Sequence, residues 1–244
     1  MNAWPERRRP PLGTLLSRAG AWLVEPAAPP TPPRAAQAAP PDVDPPRPVV
    51  AVLGLAPRAG ASTIARAVAA SLAAFDPARA AVLHTAHPPR GVPASAAAAR
   101  LSRSLEAAGC DSPRPAGRLC VVAFEEPLAP LAASRAAPIV ADLRHGEPAD
   151  GAIALSDHVV LVGSAEVEPA LAGAVATSLR ESGVSASTVL NRVLGDRPPG
   201  LDHALVVPES RVAAQLTLAC REPRGALAAV ATELAERALA EVWR

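Results

Sequence analysis

The chain contains no lysine and no tyrosine, and all 24 of its basic side chains are arginine. Against 23 acidic residues these leave a formal net charge of +1, so no global field directs the molecule toward nucleic acid or an acidic partner. A phosphate site built on a lysine ammonium is unavailable to it, and arginine is not a geometric substitute for that group. Cysteine is scarce as well. Cys110, Cys120 and Cys220 show neither CxxC spacing nor a metal-ligand pattern. A sparse, odd count suits a reducing compartment and buried packing roles. No apolar run approaches the ~20 residues that a membrane span needs.

What is present divides into two compositions. Residues 1–48 carry 13 of the 29 prolines, and from Glu25 to Pro48 the sequence reads as a disordered, partly polyproline linker. Before it, Leu12, Leu15, Leu16, Ala19, Trp22 and Leu23 fall on one face of a helix, preceded by Arg7, Arg8 and Arg9. Arg18 interrupts that segment and no convincing cleavage pattern follows, so an exported chain is not expected. The reading is a Pro/Ala-rich tail over 1–47 with a short amphipathic segment at 12–23, then one domain over 48–244. A tethered amphipathic helix can dock in a partner groove or lie at a membrane surface; it can also fold back on its own domain.

The domain is organised around residues 49–75. Val49 to Gly54 is an unbroken apolar, β-branched run of strand length, as a strand buried on both faces requires. A turn containing Pro57 and Gly60 follows. Ile64, Val68, Leu72 and Phe75 then recur at helical spacing, with Ser62 or Thr63 available as the cap. Strand, glycine turn and helix start together make a phosphate cradle, in which backbone N–H groups and a helix N-terminus face an anion.

The usual loop of this kind reads G-x-x-x-x-G-K-[ST]; here Gly60-Ala61-Ser62-Thr63 puts alanine in the lysine position. The surrounding sequence nevertheless resembles the ParA/MinD family of P-loop ATPases. Its G-A-S-T ending is most similar to the CpaE/TadZ branch, ParA-like proteins that localise pilus machinery. Anchored on Gly60, the family's second lysine falls on Ala56, and its glycine pair falls on Pro57 and Arg58. Pro57 has no N–H to offer a phosphate. The strand Ala80–Thr85 leads to Thr85-Ala86-His87-Pro88, which keeps the family's proline and loses both of its aspartates. Asp142, closing the apolar run Pro138–Leu143, resembles the Walker B carboxylate. Asn191-Arg192, ending Ser187–Val193, resembles the pair whose amide meets adenine. Val207-Pro208 resembles the segment beside the base.

Further strand-like runs at Leu119–Phe124, His158–Val162 and Ala204–Val207 alternate with helical stretches at 94–109, 128–137, 166–182 and 224–244. In the helix beginning near Glu166, Val167, Leu171, Val175 and Leu179 form the expected inner stripe. The expected fold is a doubly wound, mostly parallel sheet with helices on both faces, the P-loop NTPase fold. The resemblance implies nucleotide contacts from Arg58, Ala59, Gly60, Ala61, Ser62, Thr63, Asn191, Arg192 and Pro208. It implies a metal position at Ser62 and Asp142, with ATP and Mg²⁺ held weakly or not at all. Features that bind outlast features that hydrolyse, so the expectation is a pseudo-ATPase acting as a localisation or assembly adaptor. The alternatives are an ATP-binding switch in which Arg58 supplies the missing lysine charge, and an α/β domain that binds no nucleotide. A protein partner is expected, with secretion or pilus machinery and a homodimer as its forms, together with peripheral membrane contact through 12–23. The expected location is the cytoplasm, with recruitment to the membrane or a cell pole, and nucleic acid is not an expected partner.

Overall fold

The computed structural model describes residues 47–76, 79–89, 92–143, 145–146, 149–164, 167, 169–194 and 199–243. The expected tail, with its amphipathic segment at 12–23, lies outside the described residues except for Arg47.

Among the described residues, eight strands form one sheet. In chain order they are β1 (Val49–Gly54), β2 (Ala81–Thr85), β3 (Arg114–Ala116), β4 (Leu119–Ala123), β5 (Ile139–Leu143), β6 (His158–Gly163), β7 (Ser185–Val193) and β8 (Leu205–Pro208). Their spatial order is β3-β4-β2-β5-β1-β6-β7-β8. Every pairing is parallel except β3 with β4. β1 lies between β5 and β6, so its carboxyl end opens where successive connections leave in opposite directions, the place where such sheets take ligands. The register pairs Val52 with Asp142 and Gly54 with Val162.

The helices are α1 (Ala61–Phe75), α2 (Ala96–Ala107), α3 (Leu128–Ser134), α4 (Asp150–Ala154), α5 (Pro169–Glu181), α6 (Arg211–Leu218) and α7 (Gly225–Val242). They cover both faces, as the continuous burial of β1 requires. Val50 and Val52 pack with Ile64, Val68 and Leu72 of α1 and with Leu227 and Leu234 of α7. Val49 faces the opposite layer, with Leu105 of α2 and Leu131 of α3. Ala51 shares that layer with Leu179 of α5. Helix α1 is buried on most of its circumference because the sheet, α6 and α7 all pack on it. Its alanines let those neighbours approach closely.

Three expectations are corrected. Phe75 is 49% exposed and Leu171 is 46% exposed. Phe75 lies in the last turn of α1, and α5 buries Ala172 and Ala176 beside the expected Leu179, with Val175 half-buried. The helix at 166–182 begins later, at Pro169, and Val167 reaches the core from outside it. Two further elements, β3 and α4, come from stretches for which no element was expected, Arg114-Pro115-Ala116 and a single turn at Asp150–Ala154.

Candidate functional site

The first wall of the site is the turn between β1 and α1. Leu55 N–H donates to the Val162 carbonyl at 2.8 Å, which holds the exit from β1 against β6. The chain then passes through left-handed backbone at Arg58 (φ +60°) and Gly60 (φ +89°). Gly60 is the N-cap of α1, and no side chain caps the helix, contrary to the capping role expected of Ser62 or Thr63. Both hydroxyls lie inside the first turn, beyond the cap position, and Ser62 Oγ is turned to another acceptor. Ala61 and Ser62, in that first turn, have N–H groups without intrahelical partners, and both residues line an open cavity.

That other acceptor is Asp142. Ser62 Oγ donates to Asp142 Oδ1 at 3.1 Å, and Thr85 Oγ1 donates to Asp142 Oδ2 at 2.8 Å. Thr85 is fully buried and Asp142 is 5% exposed. His87 N–H donates in turn to Thr85 Oγ1 at 3.2 Å, fixing the bend after β2. Asn191 reaches the same loop from β7, its Nδ2 donating to the Ala59 carbonyl at 3.0 Å. A Cβ placed on Gly60 would stand 2.0 Å from that nitrogen, so only glycine admits this approach. Three strand ends, those of β1, β5 and β7, are thereby joined around one loop.

Two cavities adjoin here. The first, about 380 Å³, lies over the loop and is lined by Arg58, Ser62, His87, Asp142, His145 and Arg192 among others. The second, about 330 Å³, is walled by Asn191, Arg192, Pro208, Glu209, Arg211 and Arg224 among others. Thr63 and Arg192 belong to both. Arg192 gains this position from a register shift between Asn191 and Val193, where β7 bulges against β8 and the backbone turns to φ +60°.

The structure therefore gathers Arg58, Ala59, Gly60, Ala61, Ser62, Thr63, Asp142 and Arg192 around the first cavity. It places Thr63, Asn191, Arg192 and Pro208 around the second. Sequence reasoning missed several others. Thr85 stands where the resemblance expects an aspartate, and the structure makes its hydroxyl a second support for Asp142. His145 holds the loop from the far side, its Nδ1 donating to the Gly54 carbonyl at 3.0 Å. Arg66, 5% exposed, joins the two walls: Nη1 donates to the Leu218 carbonyl at 2.7 Å, and Nη2 donates to the His87 carbonyl. Glu209, Arg211 and Arg224 flank the starts of α6 and α7, and no short motif announces them.

Among the described residues no group of three or more His, Cys, Asp and Glu gathers around a common point. A hydroxyl beside one carboxylate does fit Mg²⁺, which keeps several waters and takes its other ligands from phosphate oxygens. The residues also fit a phosphate chain, through the helix start and the cations Arg58 and Arg192.

No protein-family model matches the chain, and no curated protein matches it. Solved structures do. The cell-division ATPase MinD of Pyrococcus furiosus superposes with a TM-score of 0.52 at 18% identity, covering 78% of this chain and 97% of that one. A ParA family ATPase of Chlorobium tepidum superposes with a TM-score of 0.50 at 14% identity, covering 81% and 98%. The chain has the ParA/MinD-like P-loop fold.

Proposed function

We propose that this chain, whose fold is that of the MinD and ParA family ATPases, binds a nucleotide at the loop of residues 55–63 without turning it over, and serves as a localisation or assembly adaptor. The observation that carries the reading is the Ser62–Asp142 pair, built and supported by Thr85, beside a helix start with free N–H groups. Ser62 and Asp142 would hold Mg²⁺, whose chemistry is to neutralise phosphate charge. Against hydrolysis stand Ala56, Ala61, Thr85 and His87, which occupy the positions where the resemblance expects charged groups. Removing a single charge-stabilising donor typically costs about 10²–10³ in rate.

Arg58 supports a second reading, an ATP-binding switch. It lines the phosphate cavity, is exposed, and carries no ion pair among the described residues. Its guanidinium would supply the charge that lysine gives elsewhere.

The output of an adaptor is a protein partner, with secretion or pilus machinery and a second copy of the chain as its candidates. Residues 12–23 would bring the domain to a membrane surface or a cell pole from the cytoplasm, local tethering raising its effective concentration there. Within the described residues no helix is long and apolar enough to cross a membrane. Deleting residues 1–46 should leave the melting temperature unchanged and abolish localisation; a large drop in melting temperature would make the segment structural instead.

Titrating the full chain with a nucleoside diphosphate, with and without Mg²⁺, tests the central reading. Saturable binding strengthened by Mg²⁺ is expected. No saturable binding under either condition would overturn it.

A further inference from the structure

We infer that Arg66 is a positioning residue of the Mg²⁺ position, acting on Asp142 through His87 and Thr85. This rests on the nucleotide-binding reading above and adds to the site a buried residue that neither cavity touches.

Ser62 and Arg66 stand four residues apart, on one face of α1. Ser62 bonds one oxygen of Asp142, and Thr85 bonds the other. His87 closes the path back to the helix. Its N–H donates to Thr85 Oγ1 at 3.2 Å, and its carbonyl accepts from Arg66 Nη2. The carboxylate is thus held in a ring that leaves α1 at Ser62 and returns to it at Arg66. His87 lies beyond the end of β2, outside the sheet ladder, so these two bonds are what set its bend.

Arg66 is 5% exposed, and no carboxylate pairs with it among the described residues. A buried cation without a counter-charge is costly. Its Nε also lacks a partner, which raises that cost. An apolar side chain would serve packing alone better. A guanidinium does what no apolar group can: it spans two carbonyls on separate elements. Its Nη1 donates at 2.7 Å to the carbonyl of Leu218, one of the groups left open at the negative end of α6. Because α6 packs on α1, this arm anchors the fork, and the other arm holds His87.

The test is calorimetric titration of the full chain with ADP, read as the gain in affinity that Mg²⁺ brings. Arg66→Met keeps the apolar stem and removes both donors. It should cut the Mg²⁺ gain about ten-fold, as Thr85→Val should, the lower end of what the supports of a metal ligand contribute. If Arg66 acts through Thr85, the double variant loses no more than Thr85→Val alone. Hydrogen exchange at the His87 amide gives a measurement that needs no nucleotide. That amide should be protected in the wild-type chain and exchange about ten-fold faster in Arg66→Met, while amides in the middle of α1 keep their protection. Should Arg66→Met not fold, Arg66→Lys takes its place, since a single ammonium cannot span the two carbonyls. A folded Arg66 variant with the full Mg²⁺ gain, losses that multiply in the double variant, or an unprotected His87 amide in the wild type would each overturn the inference. A wild-type chain that binds no ADP would remove the nucleotide reading, and the exchange rates would still decide whether Arg66 holds the bend.

Discussion

Ser62 Oγ lies 3.1 Å from Asp142 Oδ1, a bond that crosses from the first turn of α1 to the carboxyl end of β5. Thr85 holds the other carboxylate oxygen at 2.8 Å, so Asp142 is oriented before any cation arrives. Replacing Ser62 by Ala should leave the fold intact, at a cost of about 1 kcal/mol for one hydrogen bond. Nucleoside diphosphate should still bind without Mg²⁺ but gain little when Mg²⁺ is added. A variant that kept the whole Mg²⁺ gain would show that the hydroxyl does not face the metal.

Phosphate release from ATP or GTP with Mg²⁺ should stay at the rate of the protein-free control. Ala61→Lys, which places an ammonium at the helix start, should tighten nucleoside triphosphate binding by about ten-fold or more, as a charge-assisted bond to phosphate does. Measurable turnover by the natural chain, abolished by Asp142→Ala, would contradict the first expectation.

Gly60→Ala forces a Cβ to within 2.0 Å of Asn191 Nδ2 and holds alanine at φ +89°. Left-handed strain of this kind costs about 1–3 kcal/mol, and the loop must also move off Asn191. The expected result is a lowered melting temperature with loss of nucleotide binding. Unchanged binding would mean that the loop tolerates a different path.

His158 predicts an acid limb in stability. A one-way chain of hydrogen bonds fixes its neutral form: Arg237 donates to Ser187 Oγ, Ser187 donates to Nε2, Nδ1 donates to Ser185 Oγ, and Ser185 donates to Glu241. A proton on Nε2 would require Ser187 Oγ to accept instead of donate, and would place a buried cation beside Arg237. Burial pushes the pKa down to about 4; the Glu241 carboxylate opposes this in part, and the Arg237 guanidinium adds to it. The unfolded histidine therefore takes up its proton first as pH falls. The stability it contributes is complete above about pH 6.5 and is lost as pH falls to about 4, about 3 kcal/mol in all. The difference in unfolding free energy between wild type and His158→Gln should shift by roughly that amount between pH 7 and 4; no shift would place the acid sensitivity elsewhere.

Much of the scaffold was legible from runs and spacing. Val49–Gly54 and His158–Gly163 are buried on both faces, and such strands must be largely apolar, which the sequence displays save for His158, whose ring nitrogens are both hydrogen-bonded. Leu227, Val230, Leu234 and Ala238 of α7 are buried as the stripe Leu227, Val230, Leu234, Ala238 and Val242 implies, while Val242 in the last turn is half-buried. Leu171 misled because α5 packs through Ala172 and Ala176, and in an alanine-rich chain a small-residue stripe carries no periodic signal. Arg114-Pro115-Ala116 has no strand character of its own and is recruited by pairing with β4. Within the site, the loop and Asp142 sit at strand ends that pattern can locate. Thr85 was legible only as the place of a lost aspartate; its bond to Asp142 comes from β2 lying beside β5, which pairs His84 with Ala141. Glu209, Arg211, Arg224 and His145 come together only through tertiary packing, so no local spacing marks them.

The two outermost strands of the sheet are also its shortest but for each other's company: β3 has three residues with Pro115 at its centre, and β8 has four and ends on Pro208. A proline offers no N–H to an incoming strand, and short margins leave little backbone to template pairing. Fibril-like stacking and strand exchange between molecules are thereby disfavoured at both margins.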